Sequence, residues 1–119
     1  MKAIDWFERY RFTASQYSDI KRLVELKKKQ KQTISLVIPT LNEEATIGRI
    51  ISVLRKHLMK KHPLLDEIVV IDSGSTDKTE EKVKEKNVPF YKASQVLKKY
   101  GHHRGKGENL WKSLYITQG

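Results

Sequence analysis

Cysteine is absent from the 119 residues, which excludes disulfides, thiolate zinc sites and a cysteine nucleophile together. This fits a reducing compartment, and a cytoplasmic location is expected. No apolar run approaches the roughly 20 residues that span a bilayer, and Met1 to Trp6 lacks the basic-then-apolar layout of a secretory signal. The chain therefore reads as soluble and unprocessed, with no membrane partner. Its four histidines, His57, His62, His102 and His103, show no metal-ligand spacing with a carboxylate, so no zinc site is assigned. Acidic groups are also scarce, 14 Asp and Glu against 24 Lys and Arg, for a formal charge of +10. Such a balance favours anionic partners: nucleotides, phosphorylated metabolites, nucleic acid or acidic surfaces.

The position of the charge narrows that choice. Lysines cluster at Lys27 to Lys31 and along Lys78 to Lys86, where Glu80, Glu81 and Glu85 are interspersed, the pattern of a solvated helix face. The surplus is dispersed instead of striped, so no nucleic-acid partner is expected. There is no internal repeat and no low-complexity linker. The length suits one domain with a modest core.

The most informative segments are two apolar, β-branched runs that end abruptly in polar residues. Ile34 to Ile38 is closed by Pro39, Thr40, Leu41, Asn42 and Glu43, and Ile68 to Ile71 is closed by Asp72, Ser73, Gly74, Ser75 and Thr76. Near-continuous apolar runs are expected of strands covered on both faces, as in a parallel sheet. Helical spacing follows each: Ile47, Ile50, Ile51, Leu54 and Leu58 with Asn42 as N-cap, then a second helix capped by Ser75 or Thr76 with Asp77 in its first turn. Val88 to Tyr91 reads as a short edge strand, which tolerates Pro89. Helices are also placed near 3–10 and 18–30, forming an arm that packs on the main body. Leu110, Trp111, Leu114 and Tyr115 form one stripe of a last helix, expected to face the core together with Trp6 and Phe7. The fold class is α/β, a three-layer Rossmann-like parallel sheet with an N-terminal helical arm at 1–32 and a half-domain at 33–119.

Right-handed crossovers bring both strand ends to one sheet edge, where such sheets bind ligands. Glu43 and Asp72 then face one crevice, where a carboxylate can accept from a base N–H or ribose hydroxyls, while Gly74 lets backbone approach a ligand closely. Taken singly, Asn42 and Ser75 are better explained as helix caps. A loop from Gly101 to Gly107 sets Arg104 and Lys106 between glycines directly before a helix, a natural seat for phosphate. It is neither a Walker A loop, since Gly107 follows Lys106, nor a dinucleotide fingerprint, since Leu110 stands at the third glycine.

The segments Pro39 to Glu44 and Asp72 to Asp77 resemble the nucleotide-sugar-binding half of GT-A glycosyltransferases. With Trp6 to Arg9, Gln16 to Asp19, Gly105 to Glu108 and Leu110 to Leu114, the chain is similar to the N-terminal part of glucosyl-3-phosphoglycerate synthases, retaining enzymes that move glucose from a nucleotide donor to 3-phosphoglycerate. The resemblance implies that Pro39, Leu41, Asn42 and Glu43 contact the uridine of a UDP-sugar donor such as UDP-glucose, with Asp72 and Ser75 completing the base and ribose pocket. Lys106 would reach the diphosphate and neutralise charge on the leaving group. The resemblance further implies Mg²⁺ or Mn²⁺ in the full enzyme, held by an Asp-x-Asp pair on a strand beyond Gly119. The strand of Ile34 to Ile38 would then be an open edge, to be covered by self-association or by docking onto the rest of the enzyme. Other acceptors or a mannosyl donor, a non-catalytic partner that completes its sheet with another chain, and a basic binding module with interleaved Tyr10, Phe12 and Tyr17 remain the alternatives.

Overall fold

The structure is a computed structural model that describes residues 2–119. Three parallel strands, β1 (Ser35–Thr40), β2 (Glu67–Asp72) and β3 (Phe90–Lys92), form a sheet in the order β1-β2-β3. Thr40 lies opposite Asp72, which in turn lies opposite Lys92, so all three C-terminal ends reach one edge. The α/β class and the parallel direction expected from the apolar runs hold.

Alternation along the strands splits the core into two faces. Leu36, Ile38, Ile68 and Val70 pack with Ile47 and Ile51 of helix α3 (Ile47–Arg55) and Val83 of helix α4 (Thr79–Glu85). Val37 and Ile71 point the other way, toward Ala93, Val96 and Ile116 of helix α5 (Lys106–Ile116). Helices therefore cover both faces. Beyond Arg55, α3 continues in wider π-helical turns over Lys56–Lys61, with the His62 N–H donating to the His57 carbonyl at 3.2 Å.

Several expectations are corrected here. Asn42 does not cap α3, which starts five residues later after Thr46; Asn42 instead has φ +53° and serves the opposite loop. Helix α4 likewise begins at Thr79, so Ser75 and Thr76 lie in the loop before it, and Asp77 Oδ1 accepts from the Thr79 N–H at 3.0 Å. The third strand is shifted to Phe90–Lys92. The aromatic stripe of α5 faces outward, with Leu114 79% and Tyr115 70% exposed, while the polar Glu108, Asn109, Lys112 and Ser113 are buried.

The arm consists of helices α1 (Ala3–Tyr10) and α2 (Ile20–Gln30). Helix α2 is anchored by buried Val24 and by Lys27, which reaches Asp66 at 2.6 Å and the Pro63 carbonyl at 3.4 Å. Helix α1 buries none of its residues, so Trp6 and Phe7, expected in the core, are exposed. The reach of this arm accounts for a radius of gyration of 17.1 Å, against about 13.5 Å for a compact chain of this length.

Candidate functional site

Two loops leave the sheet edge side by side and are joined by a set of reciprocal hydrogen bonds. The Asn42 N–H donates to Ser75 Oγ at 2.7 Å, and Asn42 Oδ1 accepts from the Thr76 N–H at 2.9 Å. Next along the chain, the Glu43 N–H donates to Thr79 Oγ1 (2.8 Å), the Glu44 N–H to Asp77 Oδ2 (3.2 Å) and the Lys78 N–H to Glu44 Oε2 (3.3 Å). The left-handed backbone at Asn42, which its short polar side chain tolerates, sets both its donor and its acceptor toward the second loop.

Asp72 lies beneath this junction, only 3% exposed. Its Oδ1 accepts from Thr40 Oγ1 at 2.7 Å and from Ser75 Oγ, and its Oδ2 accepts from the Gly74 and Ser75 N–H groups at 2.9 and 2.7 Å. Burial alone would raise its pKa. The hydrogen bonds from Ser75, Thr40 and Gly74 outweigh that effect and hold the carboxyl below its ordinary range. With its lone pairs occupied in this way, Asp72 shapes the loop instead of offering acceptors to a guest.

Above the junction opens a cleft of about 410 Å³, within the range of small-molecule sites. The β1 end supplies Pro39, Thr40, Leu41 and Glu43, and the β2 end supplies Ser73 and Gly74. Arg104, Gly105, Lys106 and Asn109 close it from the opposite side. Of the residues singled out in the sequence, Pro39, Leu41, Glu43 and Lys106 line the cleft, whereas Asn42, Asp72 and Ser75 lie in the network that holds its walls.

The electrostatics suit an anion. Arg104 and Lys106 are exposed and belong to no ion pair among the described residues. Lys106 opens α5, so its charge and the positive end of the helix repel one another until an anion sits between them. Gly105, with φ +119°, turns the chain into the helix in a conformation that side chains rarely adopt.

Asn109, unmarked in the sequence, fixes the cleft wall from inside. Its Nδ2 donates to the Ile71 carbonyl at 3.1 Å and to Ser73 Oγ at 2.8 Å. The only hint was a polar residue one position after Glu108 in the first turn of α5. Glu108 and Lys112 were also missed as buried groups, because an i, i+4 Glu–Lys pair looks the same in a sequence whether solvated or covered.

A hard cation does not fit the residues present. Among the described residues no three His, Asp or Glu side chains gather closely enough to hold a metal ion, and Glu43 is the only carboxylate of the cleft lining.

Residues 35–118 match the model of glycosyl transferase family 2. The chain belongs to that family. It is 53% identical over 108 residues to the glucosyl-3-phosphoglycerate synthase of Petrotoga mobilis, a match covering 91% of this chain and 33% of that enzyme. The glucosyl-3-phosphoglycerate synthase of Mycobacterium tuberculosis, crystallised with Mn²⁺, UDP-glucose and phosphoglyceric acid, superposes with a TM-score of 0.75 at 37% identity, over 92% of this chain and 36% of that one. Mannosyl-3-phosphoglycerate synthase from Rubrobacter xylanophilus superposes with a TM-score of 0.89 at 30% identity, over 99% of this chain and 38% of that one. The M. tuberculosis enzyme has also been crystallised with Mg²⁺ and UDP. The family 2 chain described here thus spans about a third of the length of the curated relatives it matches. Its relatives are hexosyltransferases, and the GT-A architecture expected from the sequence is the one they share.

Proposed function

We propose that this chain is the donor-binding portion of a family 2 hexosyltransferase and that its cleft receives the uridine diphosphate of a UDP-sugar, with 3-phosphoglycerate as the acceptor of the whole enzyme. The observation that carries this reading is the convergence of three loops, 39–43, 73–75 and 101–107, on one cleft whose free cations are Arg104 and Lys106. The base rests against Pro39 and the exposed Leu41, and Glu43 accepts from a base N–H or a ribose hydroxyl. Asn42, Asp72 and Ser75 act through the loop junction by holding these groups in register. Lys106 and Arg104 meet the diphosphate, where charge grows as the glycosidic bond breaks.

The described residues contribute positioning and electrostatics, and no step is assigned to a covalent nucleophile. The groups that would hold a metal ion are not among the described residues, and no role is given to one here. The sugar is glucose by likeness to the Petrotoga and Mycobacterium enzymes. A mannosyl donor is the second reading, favoured by the fuller superposition on the Rubrobacter structure.

Calorimetric titration with UDP and with ADP tests the proposal. UDP should bind tighter by at least about tenfold, the order of discrimination expected when a site hydrogen-bonds one base and leaves its polar groups unpaired with another. Equal affinity for the two would overturn the uridine reading.

A further inference from the structure

The phosphate-facing loop has an anchor outside the cleft. Lys112, entirely buried, places its Nζ 2.7 Å from the Ala93 carbonyl, 3.0 Å from the Gly101 carbonyl and 2.8 Å from Glu108 Oε1. Glu108, itself only 8% exposed, accepts from Trp111 Nε1 at 3.0 Å through its other oxygen. The ammonium therefore joins the segment after β3, the first residue of the glycine loop and the first turn of α5.

These three points decide where the loop can go. Gly101 and Gly105 have φ of +80° and +119°, so the chain pivots at both ends of the stretch that bears Arg104. Between the pivots the backbone is exposed and lies in no helix or strand. A loop of this kind would sample many positions unless its ends were fixed, and Lys112 fixes the first pivot directly to the helix that begins just after the second. Apolar side chains of similar volume could fill this space with equal or greater stability. What they could not supply is directed hydrogen bonding to two particular carbonyls. Lys112 draws the Glu108 carboxyl down to a pKa of about 2, with the Trp111 hydrogen bond adding to this, so Glu108 is ionised near neutral pH.

We propose that the buried Lys112–Glu108 pair is a latch that positions the Gly101–Gly105 loop and Lys106, holding Arg104 and Lys106 at the mouth of the cleft. Neither Lys112 nor Glu108 lines the cleft, and both act as positioning residues. The assignment of a diphosphate to this mouth rests on the donor-binding reading above, but the mechanical claim stands apart from it.

Hydrogen exchange on the unliganded full chain tests the mechanical claim. Lys112→Met should speed amide exchange across residues 98–107 by about tenfold or more, while β1 and β2 keep their protection, as expected when one local unit loosens within an intact fold. Unchanged exchange in 98–107 overturns the latch. Glu108→Gln, which keeps the side-chain shape and one acceptor oxygen, enough for Lys112 or Trp111 but not both, covers the case in which the first variant fails to fold: it should show the same local effect in milder form. Exchange that rises evenly over the whole chain in both variants would mean a general packing role and would also overturn the proposal.

Binding separates the latch from the donor reading. The wild-type chain should prefer UDP to uridine, and Lys112→Met should reduce that preference by about tenfold while leaving uridine affinity nearly unchanged, since charge placement acts on the diphosphate alone. Loss of uridine and UDP binding in equal proportion would mark a merely structural residue. A wild-type chain indifferent to the diphosphate would sink the donor reading, and the exchange result would still decide the latch.

Discussion

Ionised Asp72 accepts four hydrogen bonds from Thr40, Gly74 and Ser75, and this one side chain holds the last residue of β1 to the turn after β2. The sequence showed a carboxylate at a strand end beside a glycine. It could not show where the lone pairs point, because that depends on a Thr40 hydroxyl 32 residues away. Replacing Asp72 with alanine leaves the buried Thr40 hydroxyl, the part-buried Ser75 hydroxyl and two loop N–H groups without this acceptor. At ~1–3 kcal/mol for each unpaired buried group, partly offset by water at the loop, urea unfolding should show a loss of about 2–4 kcal/mol, with UDP binding falling further than stability alone explains.

The same bonds give acid sensitivity a definite sign. The folded pKa of Asp72 lies below its ordinary value of 3.8, so its contribution is complete above that value and is lost as the pH falls through the folded pKa. Glu108 acts in the same direction over a window from its ordinary 4.5 down to about 2. Circular dichroism should therefore record unfolding that becomes easier as the pH drops below 4.5, and Glu108→Gln should flatten that dependence between 4.5 and about 2, most clearly above 3.8 where Asp72 does not yet contribute. A variant with the unaltered acid profile would show that the carboxylate is not linked to folding.

At the scale of elements, α5 shows how periodicity can be right and orientation wrong. Leu110, Trp111, Leu114 and Tyr115 do form one stripe of a helix, yet the opposite, polar stripe meets the sheet and the loops. Polar groups there make specific bonds, Asn109 to Ile71 and Ser73, and Lys112 to Ala93 and Gly101, which a hydropathy pattern cannot reveal. The start of α3 teaches a related lesson. Asn42 has the chemistry of an N-cap, but Ser75 and Thr76 on the neighbouring loop compete for it and win. The strands were legible because burial on both faces leaves an apolar run that few other structures require.

Gly105 is where element and site meet. Its φ of +119° with ψ of 166° is a glycine region, and a Cβ built there would touch nothing within 4 Å. Strain is thus the sole penalty for Gly105→Ala, about 1–3 kcal/mol if the loop holds its course. The more economical response is for the loop to re-route, carrying Arg104 and Lys106 away from the cleft. UDP affinity should accordingly fall by about tenfold or more, a cost comparable to the strain avoided, with the melting temperature barely changed. A large drop in melting temperature with intact UDP binding would show the loop to be rigid and its charges idle.

For the whole molecule, the feature with the broadest consequence is the free side of β1. Ile34 and Thr40 turn their carbonyls to β2, accepting from the Asp66 and Ser73 N–H groups at 2.9 and 3.0 Å, which sets the even-numbered residues of the strand toward that neighbour. Ser35, Val37 and Pro39 then face outward, and among the described residues β1 pairs with β2 alone. Pro39 is well placed on that side because it has no N–H to leave unpaired. Gln118 and Gly119 shield only the beginning of the strand, their N–H groups donating to Glu67 Oε1 at 2.7 Å and to Ser35 Oγ at 2.8 Å. The outward groups of Val37 remain available in mid-strand, and an open parallel edge with apolar neighbours invites a further strand. The net charge of +10 opposes this association at low ionic strength, and salt weakens the opposition. Sedimentation velocity should therefore show association of this chain that grows with both protein and salt concentration. Val37→Pro, which removes the outward donor while Leu36 and Ile38 keep their bonds to β2, should return the protein to the monomer; a monomer under all conditions, or a variant that associates as strongly as the parent, would place the contact elsewhere.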